Sequence, residues 1–176
     1  MEKNKKLFTI FAIALAVLMA AYIALTTLPI FEYTFVDKAG VEQSTKVTLS
    51  QYLWLPYNYA ELTGQFLPDL FKSELGMKYN ITGTIAIPLF AYVGALVSIA
   101  VILIFKKMSF SIFFPIVWSL VSIIGYFVAP FMTLIMPTTK LIHIILFTIT
   151  LIVSLVAFFM VYLPQIRYNF EHRERY

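Results

Sequence analysis

Residues Leu141 to Ile166 read LIHIILFTITLIVSLVAFFMVYLPQI, which is 26 consecutive residues without Asp, Glu, Lys or Arg. A helix rises about 1.5 Å per residue, so about 20 apolar residues cross the hydrocarbon core of a bilayer. Three more stretches without these residue types are as long or nearly so: Leu7 to Phe31, Ile81 to Phe105 and Met108 to Thr139. The pattern predicts an all-α membrane protein, a four-transmembrane-helix bundle.

Composition agrees with this prediction and excludes some chemistry. Hydrophobic residues make up 61% of the 176-residue chain, which leaves too little polar sequence to cover a soluble core. The chain contains no cysteine, which excludes disulfides, thiolate catalysis and cysteine-bound zinc or iron–sulfur clusters. The predicted segments, with TM for a transmembrane helix, are an N-terminus 1–6, TM1 7–31, a loop domain 32–80, TM2 81–105, a turn 106–107, TM3 108–130, a connection 131–140, TM4 141–166 and a tail 167–176.

The positions of the basic residues predict the orientation. They cluster before TM1, between TM2 and TM3, and after TM4, and these three places share one side of the membrane because the number of spans is even. By the positive-inside rule, both termini are cytoplasmic and the loop 32–80 is extracytoplasmic. The short connections and the absence of cysteine favour a bacterial plasma membrane. The clusters contain Lys3, Lys5, Lys6, Lys106, Lys107, Arg167, Arg173 and Arg175.

The long loop is predicted to form a small α+β domain. Glu32 to Val36 and Val41 to Leu49 are rich in β-branched and aromatic residues, and the turn sequence Asp37-Lys38-Ala39-Gly40 separates them. This pattern predicts a β-hairpin. Short helices are predicted after Ser50 and between Pro68 and Leu75, where cap and proline signals occur.

Small residues at helical spacing predict where helices pack closely. Side chains of this size let two helix backbones approach each other in a bilayer, so these positions are candidate helix-packing sites. In TM1 they recur every four residues, which is expected to place them on one face. The candidates are Ala12, Ala16, Ala20 and Ala24 in TM1, Gly94 and Ser98 in TM2, and Ser122 and Gly125 in TM3.

Two polar or aromatic features are considered as functional sites. The loop segment that contains Tyr52, Trp54, Tyr57 and Tyr59 is either an outer interaction patch for a partner or the loop's own core. His143 is the one titratable His, Asp, Glu, Lys or Arg in the four stretches, and its position near the start of TM4 predicts an interfacial residue. No metal-ligand set accompanies it, so neither a metal nor a cofactor is expected.

No nucleophile, base or phosphate-binding motif can be assembled on one side of the membrane, so an enzyme is not expected. The prediction is a non-catalytic accessory or scaffold subunit. Its expected partners are the lipid bilayer and other membrane proteins or further copies of itself, and not nucleic acid. The alternative is a small channel or transporter that acts as an oligomer, with hydroxyls such as those of Ser119, Ser122 and Thr150 lining the path.

The layout resembles that of the claudins and related four-span families: a hairpin-bearing first outer loop, a short second one and internal termini. In those families the first loop carries a Gly-Leu-Trp motif and a cysteine pair. Here Trp54 stands in Leu53-Trp54-Leu55 and there is no cysteine. The resemblance is therefore one of topology, and it implies lateral assembly in the membrane rather than catalysis.

Overall fold

The computed structural model describes residues 2–36, 39–50, 81–104, 109–128, 135–164 and 167–168. Four main helices account for most of these residues: α1 (Glu2–Leu25), α2 (Ile81–Ile104), α3 (Phe113–Val128) and α4 (Pro137–Ala157). A 3₁₀ turn, Ser109–Ile112, precedes α3, and a π-helical turn, Phe158–Tyr162, continues α4. Each helix packs against the next in sequence, and α4 packs back against α1.

Three of these helices are long and apolar enough to cross a membrane: Lys6–Leu25, Ile87–Ile104 and Pro137–Tyr162. The apolar part of α3, Phe113–Phe127, is shorter. The whole of α3 has 16 residues and is about 24 Å long, and the four residues of the preceding 3₁₀ turn add about 8 Å. Together they match the thickness of a hydrocarbon core, about 30 Å.

Helix ends differ from the predicted span boundaries at two places. α1 ends at Leu25, where the hydroxyls of Thr26 and Thr27 donate to carbonyls of the last turn, and Phe31 lies in a strand instead of in TM1. α4 begins at Pro137, four residues before the predicted Leu141, because proline suits the first helical turn. The predicted boundary lies just after Lys140 because this residue is charged. In the structure Lys140 belongs to the first turn of α4.

The four helices place a narrow stripe inside and leave a broad apolar surface outside. α4 buries one side chain every three or four residues, whereas several large apolar residues between them, such as Ile145, Ile149 and Ile152, are exposed. A soluble protein would bury those side chains, so the surface suits a lipid solvent. The buried residues of α4 are His143, Phe147, Thr150, Ser154 and Ala157.

A hairpin lies where α1 ends and α4 begins, and this end of the bundle is called the hairpin end below. Strands β1 (Phe31–Val36) and β2 (Glu42–Val47) pair antiparallel, with Phe31 opposite Val47 and Val36 opposite Glu42. Gly40 adopts a φ of 79° in the turn, a value that suits glycine. The short helices predicted within 51–80 lie outside the described residues.

The hairpin is attached to the residues that precede α4. The backbone amide of Met136 donates to the carbonyl of Ile30 at 3.0 Å, and Phe31 forms a β-bridge with Ile135. Ile30, Phe31 and Ile135 are buried, as is Leu49 after β2, and all four join the main apolar core. We call this set of contacts the hairpin clamp.

Candidate functional site

Five aromatic rings from three helices meet inside the bundle near the hairpin end. We call them the aromatic cluster: Tyr22 of α1, Trp118 and Tyr126 of α3, and His143 and Phe147 of α4. The spacing of four or eight residues within α3 and α4 puts the rings of each helix on one face. All five are at most 2% exposed.

The rings contact one another mainly edge to face. Tyr22 lies with its ring centroid 5.6 Å from Trp118, 5.1 Å from His143 and 5.0 Å from Phe147. Phe147 also contacts Trp118 and Tyr126 at 5.2 Å each. Pairs of this geometry contribute about 0.5–1.5 kcal/mol each beyond the area they bury. The cluster therefore joins α1, α3 and α4 at one level.

The second helix supplies backbone carbonyls rather than rings. Trp118 Nε1 donates to the carbonyl of Ala91 at 2.7 Å, and the Tyr22 hydroxyl donates to that of Pro88 at 3.4 Å. Trp118 reaches α2 because Gly94 has no side chain: a Cβ there would lie 2.5 Å from Trp118 Cδ1. Small residues on α2 thus decide how deeply the indole enters the bundle.

His143 and Tyr126 form a side-chain hydrogen bond inside the bundle. The Tyr126 hydroxyl and His143 Nδ1 are 2.9 Å apart, and both residues are fully buried. Six residues separate His143 from Pro137, which places the ring about 9 Å along α4 from its start. α4 starts earlier than predicted and turns this side chain toward α1 and α3, so His143 lies inside the bundle instead of at the first turn of its helix.

Two buried polar atoms have no hydrogen-bond partner within the described part of the chain: His143 Nε2 and Ser122 Oγ. Some buried serine and threonine hydroxyls bond back to their own helix, as Ser119 does to the carbonyl of Pro115 at 2.6 Å and Thr150 to that of Leu146 at 2.8 Å. A buried polar group without a partner costs about 1–3 kcal/mol. Within the described interior, these two atoms are therefore able to form a further hydrogen bond.

The predicted helix-packing residues divide into two groups. Gly94, Ser98, Ser122 and Gly125 lie at contacts within the bundle, where a Cβ on Gly125 would lie 2.9 Å from Ile87 Cγ2. The four alanines of α1 do not share one face.

Ala12 and Ala16 of α1 are partly buried, whereas Ala20 and Ala24 are exposed. A step of four residues exceeds one helical turn of 3.6, so the alanines rotate by about 40° at each step. Three steps carry them from the inner to the outer side of the helix. The C-terminal half of the alanine series therefore lies exposed on the surface of the described bundle.

The sequence reasoning missed four of the five residues of the aromatic cluster: Tyr22, Trp118, Tyr126 and Phe147. A signal was available, since both tyrosines lie well inside apolar spans, away from the interface positions that tyrosine prefers. A hydroxyl at that depth needs a partner, because hydrocarbon offers none.

The predicted outer patch of Tyr52, Trp54, Tyr57 and Tyr59 lies outside the described residues. Within the ranges that are described, no group of three or more His, Asp or Glu side chains is placed to hold a metal ion.

The chain matches no protein-family model, no curated protein and no solved structure. The resemblance to claudins therefore rests on the layout of the sequence alone.

Proposed function

We propose that this protein is a non-catalytic multi-pass membrane protein that serves as an accessory or scaffold subunit for other membrane proteins. It resides in a plasma membrane with both termini in the cytoplasm. Residues 32–80 form a small extracytoplasmic α+β domain whose aromatic segment, Tyr52 to Tyr59, adds to the partner surface. The observation that supports the proposal is the outward face of α1.

The outward face of α1 is a straight stripe of exposed side chains. Its members follow one another at intervals of three and four residues, which keeps them on one side of the helix. The inward residues of α1, such as Leu15, Met19 and Tyr22, are a separate set that builds the bundle. The stripe consists of Ile10, Ile13, Val17, Ala20 and Ala24.

This stripe changes from large to small side chains toward the hairpin end. Ile10, Ile13 and Val17 are each 61–62% exposed, and Ala20 and Ala24 follow. In a bilayer, apolar area alone does not drive helices together, because lipid tails are equally apolar. Close packing of side chains does drive helices together, and a small residue such as alanine lets a second helix approach the backbone. The half of α1 nearest the hairpin is thus suited to hold a helix of another protein.

The test is a mild-detergent pull-down of the tagged full chain from its native membrane, comparing wild type with the double variant Ala20→Leu, Ala24→Leu. We expect the retained membrane partner to fall by about tenfold, or about 1.4 kcal/mol. The thermal stability of the variant should match wild type, because both alanines are exposed. Ala100→Leu, at an exposed alanine of α2, is the matched control and should retain the partner. Equal retention by all three proteins would contradict the proposal.

A second candidate function, a small channel or transporter, is favoured by the open polar atoms of the interior. Ser122 Oγ and His143 Nε2 lie inside a single bundle together with buried Ser119 and Thr150. Such a path would run through one protomer instead of between protomers. Purified protein in liposomes should then pass protons or small solutes, and Ser122→Ala should change the rate. Silent liposomes would remove this candidate.

A further inference from the structure

We propose that His143 is a proton-binding site that controls the contact between the hairpin and the helix bundle. Four observations carry the argument: the ring is fully buried, one of its nitrogens has no partner among the described residues, no carboxylate in the described ranges contacts it, and the residues just before its helix hold the hairpin.

The neutral ring fits its surroundings better than the charged ring. A neutral His143 ring has one nitrogen that donates a hydrogen bond and one that accepts a hydrogen bond. The Tyr126 hydroxyl is the partner of Nδ1. Whichever neutral tautomer is present, Nε2 stays without a partner among the described residues. A protonated ring would carry two N–H donors, so the Tyr126 oxygen would have to accept at Nδ1 and the donor at Nε2 would remain unpaired.

In the part of the chain that the structure describes, the groups around His143 offer no compensating negative charge. The ionisable side chains facing His143 are Tyr22 from α1 and Tyr126 from α3, both buried. On α4 itself, Lys140 lies one turn before His143 and adds a like charge. On α2, the ionisable side chain among described residues is Tyr92, which is partly buried against the core. A proton on His143 would thus introduce a net positive charge into an apolar interior.

The carboxylates nearest in the fold lie on the hairpin and not in the bundle. Among the side chains that the structure describes, these are Glu32 and Glu42, and both are exposed. A charged His143 therefore gains stability by moving toward water and these carboxylates at the hairpin end, about 9 Å away along the helix. That movement requires the start of α4 to separate from Tyr22 and Tyr126.

The start of α4 is also the attachment point of the hairpin. Ile135 and Met136, which hold β1 through Phe31 and the carbonyl of Ile30, immediately precede Pro137. A displacement of the first turns of α4 therefore strains the hairpin clamp directly. Proton uptake at His143 loosens the hairpin, and a firmly clamped hairpin keeps the ring neutral, since the two equilibria are linked.

The absence of cysteine in this chain allows a direct test by double spin labelling. Ser44→Cys on β2 and Thr138→Cys at the start of α4 place two labels at exposed positions across the clamp. The distance between them is measured in lipid nanodiscs from about pH 8 to about pH 5.5, a range in which ordinary histidines titrate and most carboxylates do not.

We expect a single short distance at high pH and a growing longer population as the pH falls. Its ratio to the short population should rise by up to about tenfold per pH unit, the limit for one linked proton. His143→Gln should abolish the pH response, since glutamine can bond to Tyr126 without taking a charge. His172→Gln, which alters the other histidine of the sequence, should leave the response intact. A response that persists in His143→Gln, or none in wild type, would overturn the proposal.

A second measurement does not depend on the His143 variant folding. In His172→Gln protein, His143 is the only histidine, so the nitrogen NMR signals of labelled histidine report its protonation directly. We expect the imidazolium signal to appear together with the longer spin-label distance. Protonation without a change in distance, or a change in distance while the ring stays neutral, would overturn the link between the site and the hairpin.

Discussion

Trp118 occupies the space that Gly94 leaves open on α2. The indole reaches the carbonyl of Ala91 at 2.7 Å and closes one side of the aromatic cluster. The sequence predicts Gly94 as a packing residue, because a small side chain in a span permits close approach. It does not show which side chain approaches, since that depends on how α2 and α3 are aligned, and the alignment is set by contacts distant in sequence.

At this scale we predict that Gly94→Ala destabilises the bundle. A Cβ would lie 2.5 Å from Trp118 Cδ1, so a large buried ring must move. Overpacking costs about 1–3 kcal/mol, whereas alanine gains about 1 kcal/mol over glycine in a helix, which leaves a net loss of up to about 2 kcal/mol. The loss is measured as the difference in the free energy of unfolding between variant and wild type in detergent micelles.

The matched control is Gly125→Ala, where a Cβ would lie 2.9 Å from a methyl of Ile87. That methyl is the Cγ2 branch of one aliphatic side chain, and a small shift of it relieves a contact that is less close than the one at the indole. We therefore expect a change near zero for Gly125→Ala. An equal loss in both variants would show that ring displacement does not decide the cost.

Proline placement and strand pairing, and not the positions of charged residues, determine where the helices begin and end. Lys140 set the predicted start of TM4, yet Pro137 begins α4 and Lys140 lies in its first turn. Phe31 was predicted to close TM1, yet it opens β1 because Ile135 pairs with it. Hydropathy along the sequence predicts that the spans exist. It does not predict the pairing of Phe31 with Ile135, because these residues are more than 100 positions apart in the sequence.

At the scale of elements we predict that Met136→Pro loosens the hairpin without disturbing α4. Met136 has φ −53° and ψ 131°, which proline adopts readily and which suits a residue before Pro137. The substitution therefore removes mainly the 3.0 Å bond from the Met136 amide to the carbonyl of Ile30. We expect a local loss of about 1 kcal/mol, seen as faster hydrogen exchange in β1. Met136→Ala, which keeps the amide, is the control, and equal exchange in both variants would contradict the role of this bond.

In the described part of the molecule, several polar side chains lie inside the bundle and many large apolar side chains lie on its surface. Tyr126, His143 and several hydroxyls lie within the bundle, while residues such as Ile104 and Phe127 are 72% and 67% exposed. Composition predicts this arrangement, because four long apolar stretches with few charges cannot cover themselves. The aromatic cluster is less predictable, since it needs one tyrosine of α1 and two helix faces from the other end of the chain to meet at one level.

The central proposal is that the four helices cross a membrane with the hairpin on the outer side and both termini on the inner side. Single cysteines at Ser44 and at Lys6 test it in intact cells with a membrane-impermeant maleimide, since the chain has no cysteine of its own. We expect the Ser44→Cys protein to be labelled in intact cells and the Lys6→Cys protein only after permeabilisation. Three results would contradict the account. They are labelling of both variants in intact cells, labelling of Lys6→Cys alone, and recovery of the protein from the soluble fraction.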